Sequence, residues 1–357
     1  MTPHPGGARI LVIRGGAIGD FILTLPAIGL LRDAFPDAQI EILGYKHIVA
    51  LAEGRHYAHA TRSIEYAGLS AFFIPGAKLP PDLIDYFAGF QQVVSYLYDP
   101  DDFFQENLRR AGVKHLLPAY SRIDKSAGHA VRQLARPLER LALFLDEESA
   151  ALQPCIYPSE GDRAFATGFL ERAGVAPSAQ ALIAVHPGSG GKHKLWPVEH
   201  WRWLLEHLRG QPGSPRILLV GGEADVERIE ALRSPSDIIA SNLPLPHLAA
   251  LFEQCAGFLG HDSGISHLAA AVGTPCILLF GPTDPSIWAP PGPHVQVLRA
   301  SEGNLGDPDQ LRPETALATI KLSLSTENRF AQPARPRFIT GANNLTPTTP
   351  PQPNGPI

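Results

Sequence analysis

The chain has 357 residues, 44% hydrophobic and 18% charged, with a formal net charge of −5. That length exceeds one small core and points to two domains, while the negative balance argues against a dedicated nucleic-acid binder. Its three cysteines, Cys155, Cys255 and Cys276, form no C-x-x-C pair, so neither a zinc knuckle nor a disulfide framework is expected.

The opening stretch, MTPHPGGARILVIRGG, has no basic start followed by a long apolar run, and it does not read as a signal peptide. No run approaches about 18 unbroken apolar residues, so no membrane-spanning helix is expected and the protein is expected in the cytoplasm. RILVIR (9–14) reads as a buried strand. A helical pattern follows from about Phe21 to Phe35, with Pro26 as a kink or early-turn residue. QIEILG (39–44) and QVVSYL (92–97) read as further strands. The second half is more regular. Strands are expected at 181–186, 216–222, 257–262 and 275–281. Helices are expected at 197–208, 224–233, 245–255 and 265–272. Such alternation predicts parallel sheets covered on both faces. Ligands then bind where strands end and loops lead into helices. From Thr326 to Ile357 prolines accumulate and large apolar residues thin out, which predicts a disordered tail.

Five stretches could carry chemistry. RGGAIGD (14–20) follows the first strand, but Arg14 stands where a dinucleotide fingerprint needs glycine. Asp20 in it is either a helix-capping carboxylate or a general base. HPGSGGKHKLWP (186–197) is not a Walker A loop. It offers Ser189, Gly190, Lys192 and Lys194 as an anion cradle ahead of a helix start, or a solvated glycine loop. Trp196 reads as core. Glu223, after a strand and two glycines, could bind ribose or base, or serve the helix dipole. GHDSGISH (260–267) crowds Asp262, Ser263, Gly264, Ser266 and His267 at one helix start. A hydrolytic triad there is a poor reading, because Ser263 sits on no G-x-S-x-G elbow. No D-x-D accompanies these four stretches and no ligand-spaced His/Cys cluster appears, so no metal site is expected. Finally, Arg109, Arg110, Lys114, Arg122, Lys125, Arg132, Arg136 and Arg140 give the 109–140 region a local basic excess. It could face an anionic acceptor or a membrane, or be a solvated face.

Taken together and in this order, the stretches resemble glycosyltransferase family 9, the ADP-heptose:lipopolysaccharide heptosyltransferase group. The resemblance covers about Arg9–Arg299. It implies an α/β protein of the GT-B fold, with two Rossmann-like lobes whose parallel sheets face each other across a cleft. Residues 1–155 would form the acceptor-side lobe and 156–325 the nucleotide-sugar lobe, with a last helix near Pro313–Leu324 that crosses back to the first lobe. It implies an inverting, metal-independent transfer with no cofactor, from ADP-heptose as the expected donor to a lipopolysaccharide core or related anionic glycolipid or glycan. Asp20 would then be the base. Lys194, with Lys192 close enough to share the part, would hold the diphosphate, and Glu223 the nucleoside. Asp262, Ser263, Gly264 and His267 would stand near sugar and diphosphate, with Ser189 and Gly190 in the donor loop. Arg132 and Arg136 are the expected acceptor contacts, and peripheral attachment to the inner membrane is a further expectation. The competing classes are a nucleotide-sugar epimerase and a non-catalytic sugar-nucleotide binder on the same fold.

Overall fold

The computed structural model describes residues 7–120, 122–145, 152–175, 181–210 and 214–325. The expected tail at 326–357 lies outside them. Among the described residues no helix is long and apolar enough to cross a membrane.

The first lobe runs β1 (Arg9–Arg14), α1 (Ile18–Ala34), β2 (Gln39–Gly44), α2 (Lys46–Val49), β3 (Ala60–Ser63), α3 (Pro81–Ala88), β4 (Gln92–Ser95), α4 (Phe103–Arg110), β5 (Leu116–Pro118) and α5 (Ala130–Ala135). Its sheet is parallel, in the order β3-β2-β1-β4-β5. The second lobe runs α6 (Glu160–Arg172), β6 (Leu182–His186), α7 (Val198–Arg209), β7 (Arg216–Gly221), α8 (Val226–Leu232), β8 (Ile238–Ser241), α9 (Leu245–Glu253), β9 (Gly257–His261), α10 (Gly264–Ala271), β10 (Cys276–Phe280), α11 (Pro285–Trp288), β11 (Val295–Arg299) and α12 (Pro313–Ser325). Its sheet is also parallel, in the order β11-β10-β9-β6-β7-β8. Chain direction across each sheet reverses at β1/β4 and at β6/β9, the switch points where such sheets bind ligands.

The strands are apolar on both faces because both faces are covered. In β1, Ile10 and Val12 join one cluster while Leu11 and Ile13 join another. In β6, Leu182 and Ala184 face one way and Ile183 and Val185 the other. One cluster runs through both lobes: Phe21, Ile22 and Ile28 of α1, Ile156 between the lobes, Ala166 and Leu170 of α6, Phe252 of α9 and Leu268 of α10 all belong to it. The Ile156 amide donates to Ala271 O at 2.9 Å, and Arg55 of the first lobe pairs with Asp162 of α6 at 2.5 Å.

Three features differ most from the sequence reading. Helix α1 starts at Ile18, not near Phe21, and Pro26 is buried inside it. Strand β4 ends at Ser95, one residue before Tyr96, whose amide still donates to Ile13 O at 2.8 Å and whose hydroxyl donates to Leu134 O in α5 at 3.0 Å. Helix α12 packs on the second lobe instead of crossing to the first. Its Ala316, Leu317 and Ile320 share a core with Trp201, Leu204 and Leu208 of α7.

Candidate active site

The two helices that start at the switch points meet across the cleft. A Cβ built on Gly264, the first residue of α10, would stand 2.7 Å from Ile18 Cβ and 3.1 Å from the Gly19 amide nitrogen. A Cβ on Gly19 would stand 3.1 Å from His267 Cδ2. Only glycines let the two helix starts come this close, and both helix N-termini then add positive potential to one small region.

Asp20 sits in the first turn of α1 and is partly exposed, with a side-chain exposure of 41%. Its Oδ2 accepts the Ala17 amide at 3.1 Å. The residue before the helix is alanine and has no acceptor of its own, so Asp20 caps the helix from inside. Arg14 braces it: its guanidinium donates to Asp20 O at 3.1 Å and to Thr24 Oγ1 at 2.9 Å, and lies 3.9 Å from Asp20 Oδ1. Burial lowers the Arg14 pKa from its usual value, partly offset by the Asp20 carboxylate. Arg14, which breaks the dinucleotide pattern in the sequence, is thus a positioning residue for Asp20.

On the opposite wall, Lys194 ends a short 3-10 turn (Lys192–Lys194) after β6. Its Nζ lies 2.5 Å from Asp262 Oδ2, which also accepts the Thr283 hydroxyl at 2.5 Å. Lys192 is exposed. Ser189 donates its hydroxyl to Asp262 O at 3.0 Å, and a Cβ on Gly190 would meet nothing within 4 Å. Ser263 caps α10 by accepting the Ser266 amide, and Ser266 donates its hydroxyl to His261 O. His267 is buried, and its Nδ1 has no hydrogen-bond partner among the described residues. Burial pushes its pKa down to about 4. Asp262 and Asp20 act to raise it, and His129 and Lys194 to lower it further. One neutral imidazole therefore lies within the field of both walls.

Four residues that no motif singled out support this arrangement. His186 ends β6 with Nε2 3.4 Å from Asp225 Oδ2 and Nδ1 3.4 Å from Ser263 Oγ. Its hydrogen bond, more than any other cause, holds the Asp225 carboxyl below the usual range. Asp225 also accepts the Gly222 amide at 2.9 Å and lies so close to Gly188 that a Cβ there would meet its Oδ1 at 1.9 Å. Glu223, the acid singled out in the sequence, is exposed beside it. His261 is fully buried. Its Nε2 accepts the Trp196 amide at 3.0 Å and the Trp201 indole N–H at 3.3 Å, so Nδ1–H donates to Gly188 O at 3.1 Å. Burial pushes its pKa down to about 3. Trp196 is core, donating its indole N–H to Leu311 O at 2.8 Å. His129, at the start of α5, accepts the Val131 amide at Nδ1 and donates Nε2–H to Ala289 O of the other lobe at 2.7 Å.

The basic run does not form one patch. Arg109 and Arg110 end α4, and Lys114 precedes β5, at the edge of the sheet away from the cleft. Arg110 is held by Asn107 and Ala77. Arg122 and Lys125 lie in the loop after β5, on the cleft side. Arg132 lies within α5, while Arg136 opens a 3-10 turn (Arg136–Leu141) and is exposed. The sequence spells D-x-D twice, as Asp307-Pro308-Asp309 before α12 and as Asp99-Pro100-Asp101 after β4. Asp99 there accepts the Phe104 and Gln105 amides at 3.2 and 3.0 Å, which makes it the cap of α4.

The model of glycosyltransferase family 9 (heptosyltransferase) matches residues 107–316. Lipopolysaccharide heptosyltransferase 1 of Escherichia coli K12 is 26% identical over 319 residues, 83% of this chain and 95% of that protein. Lipopolysaccharide heptosyltransferase 3 of Escherichia coli is 25% identical over 295 residues, 76% of this chain and 83% of that protein. Among solved structures, the family 9 glycosyl transferase of Veillonella parvula superposes with a TM-score of 0.75 at 20% identity, covering 89% of this chain and 97% of that one. The ADP-heptose LPS heptosyltransferase II of E. coli gives a TM-score of 0.69 at 20% identity, covering 88% and 98%. These likenesses share one architecture, the two-lobed GT-B fold described above.

Proposed function

The chain belongs to glycosyltransferase family 9, the heptosyltransferase family of lipopolysaccharide core synthesis, and from that premise we propose that it transfers heptose from ADP-heptose, with inversion, to an anionic glycolipid or glycan of the lipopolysaccharide core. The observation that carries the proposal is the meeting of α1 and α10 at Gly19 and Gly264. It sets a braced carboxylate, Asp20, opposite a lysine and a helix start. The first lobe, residues 1–155, takes the acceptor. The second, residues 156–325, takes the donor.

An acceptor hydroxyl attacks the anomeric carbon from the face opposite the diphosphate. Asp20 takes its proton, the bond from the anomeric carbon to the phosphate oxygen breaks, and ADP leaves as an anion. Base catalysis of this kind contributes roughly 10²–10⁴-fold. Lys194 exchanges its contact with Asp262 for the leaving phosphate, and the α10 amides add preorganised donors. These charges meet the leaving group without a metal. Asp262, Ser263 and His267 border the sugar. Ser189, Gly190 and Lys192 border the diphosphate, and exposed Glu223 stands where ribose and adenine would leave the cleft. Arg132 and Arg136 face an anionic part of the acceptor, and the protein works in the cytoplasm in peripheral contact with the inner membrane.

The test is a donor screen by mass spectrometry. Purified protein is given lipopolysaccharide-core acceptor and ADP-heptose, or UDP-, GDP- and other ADP-sugars. Heptosylated product from ADP-heptose alone is expected. Faster transfer from another nucleotide sugar would overturn the donor assignment.

A further inference from the structure

We propose that the cavity at the C-terminal ends of β4 and β5 is a subsite for an uncharged sugar ring of the acceptor, stacked on Tyr98 and Tyr120. The inference rests on the transferase reading above and names what the first lobe holds.

The cavity measures about 210 Å³. That is below the roughly 300–1,000 Å³ of sites for drug-sized ligands, and suits a single ring. Tyr98 is 67% exposed and Tyr120 45% exposed, yet their ring centroids lie only 5.2 Å apart, tilted by 55°. Packing does not require two aromatic rings to be held side by side in solvent. A pyranose has one face of C–H groups and an edge of hydroxyls. It needs an aromatic face on one side and hydrogen-bond acceptors around it.

The lining provides both. Besides the tyrosines it includes Asp99, Asp102 and Gln105, and it contains no lysine, arginine or histidine among its described residues. An anionic sugar would meet carboxylates here, whereas a neutral one meets acceptors for its hydroxyls. The rim is preformed. Asp99 is fixed by the two amides it caps. Asp102 is held in the left-handed region at φ 58° and accepts the Gln105 side-chain amide at 2.6 Å.

The cavity also adjoins the reaction centre. Leu97, on its wall, has Cδ2 3.0 Å from where a Cβ on Gly15 would be, so it leans on the loop that leads to Asp20. Tyr120 is near enough to Arg14 to act on its charge, and Arg14 holds the Asp20 carbonyl. A ring stacked on the tyrosines therefore lies beside the base, while charged groups of the same acceptor lie toward Arg132 and Arg136, outside this lining.

Saturation-transfer NMR on the full chain tests this, with ADP added in excess to occupy the donor lobe. The neutral probes are methyl α-D-mannopyranoside and methyl α-D-glucopyranoside. The anionic probe is methyl α-D-glucopyranosiduronic acid. At least one neutral glycoside is expected to bind wild type. Tyr98→Ala and Tyr120→Ala should weaken that binding by roughly three- to tenfold, Tyr98→Phe and Tyr120→Phe should retain it, and the uronide should bind less well. Both tyrosines are exposed, so unchanged melting temperatures should show the variants folded. Wild type that binds neither neutral glycoside, alanine variants that bind as wild type does, or a uronide that binds better would each overturn the subsite. ADP affinity, measured separately by calorimetry, reads the donor assignment independently. Its failure leaves the dependence on Tyr98 and Tyr120 still measurable.

Discussion

Gly264→Ala probes the contact on which the site depends. The added Cβ would stand 2.7 Å from Ile18 Cβ and 3.1 Å from Gly19 N, where relaxed carbon pairs keep about 3.5–4.0 Å. Both clashing atoms are fixed to backbone, so no rotamer change removes an overlap of about 1 Å. The two helix starts must separate. Overpacking of this kind costs about 1–3 kcal/mol. The better helix propensity of alanine returns at most about 1 kcal/mol, and less in a first turn, which leaves a net loss of about 1–2 kcal/mol. At about 2–4 °C per kcal/mol for a chain of this class, the melting temperature should fall by roughly 2–8 °C. The rate should suffer more, because a 1 Å misplacement of reacting groups costs about 10²-fold. Scanning calorimetry and the rate of ADP release in the presence of acceptor are the readouts. Gly161→Ala is the control: its nearest neighbour would be Ser159 Oγ at 3.8 Å, and it should melt at or slightly above wild type. A Gly264→Ala protein with wild-type melting and wild-type rate would show that the two helix starts do not depend on this contact.

Asp20→Asn keeps an oxygen for the Ala17 amide and removes the base; transfer should drop by roughly 10²–10⁴-fold with ADP affinity unchanged by calorimetry, and near-normal turnover would return Asp20 to a capping role alone. Lys194→Met should weaken ADP binding by about tenfold, the scale of one charge-assisted contact, and an unchanged dissociation constant would remove Lys194 from the donor site. Transfer should survive EDTA, whereas loss of activity restored by Mg²⁺ or Mn²⁺ would refute metal independence. Stability should fall on acidification. His261 and His267 have folded pKa values lowered to about 3 and about 4, so between the ordinary value near 6.5 and about 4 the unfolded chain binds protons that the folded chain does not. Each then contributes a slope of up to about 1.4 kcal/mol per pH unit, with stability rising as pH rises. Denaturant titrations of His261→Gln between pH 4 and 7 should show a shallower slope than wild type, and an equal slope would contradict the burial argument.

Much of this was legible in the sequence because it is local. Runs such as ILVI (10–13) and CILLF (276–280) are apolar at every position, as a strand covered on both faces requires, and their spacing with helical stretches points to two parallel sheets. Motif residues fall at strand ends, so Asp20, Lys194, Asp262 and His267 could be singled out before their meeting was seen. What escaped was what depends on distant partners. His186 and Asp225 are 39 residues apart in number and pair only because β6 and β7 are neighbours in the sheet. His129 reaches Ala289 across the cleft, a contact that no periodicity encodes. The start of α1 was misplaced because its cap residue is Ala17, with no polar side chain to announce it. The basic run looked continuous because sequence does not show that α4 and α5 pack on opposite faces of the sheet. The last helix was expected to cross back on resemblance, whereas its apolar side matches the groove beside α7.

The apolar cluster shared by the two lobes has a consequence for how the molecule comes apart. Cutting the chain near Ile156 would strip Phe21, Ile22 and Ile28 of their partners in α6, α9 and α10, and each fragment would present a greasy face of the kind that aggregates. Neither half should be recoverable as a monomer by separate expression. Heating the intact chain should give one cooperative endotherm instead of two, because losing either half uncovers the other. Any opening of the cleft during turnover must then be a rotation about this seam that keeps it closed, a hinge-like movement of the outer edges and not a parting of the lobes.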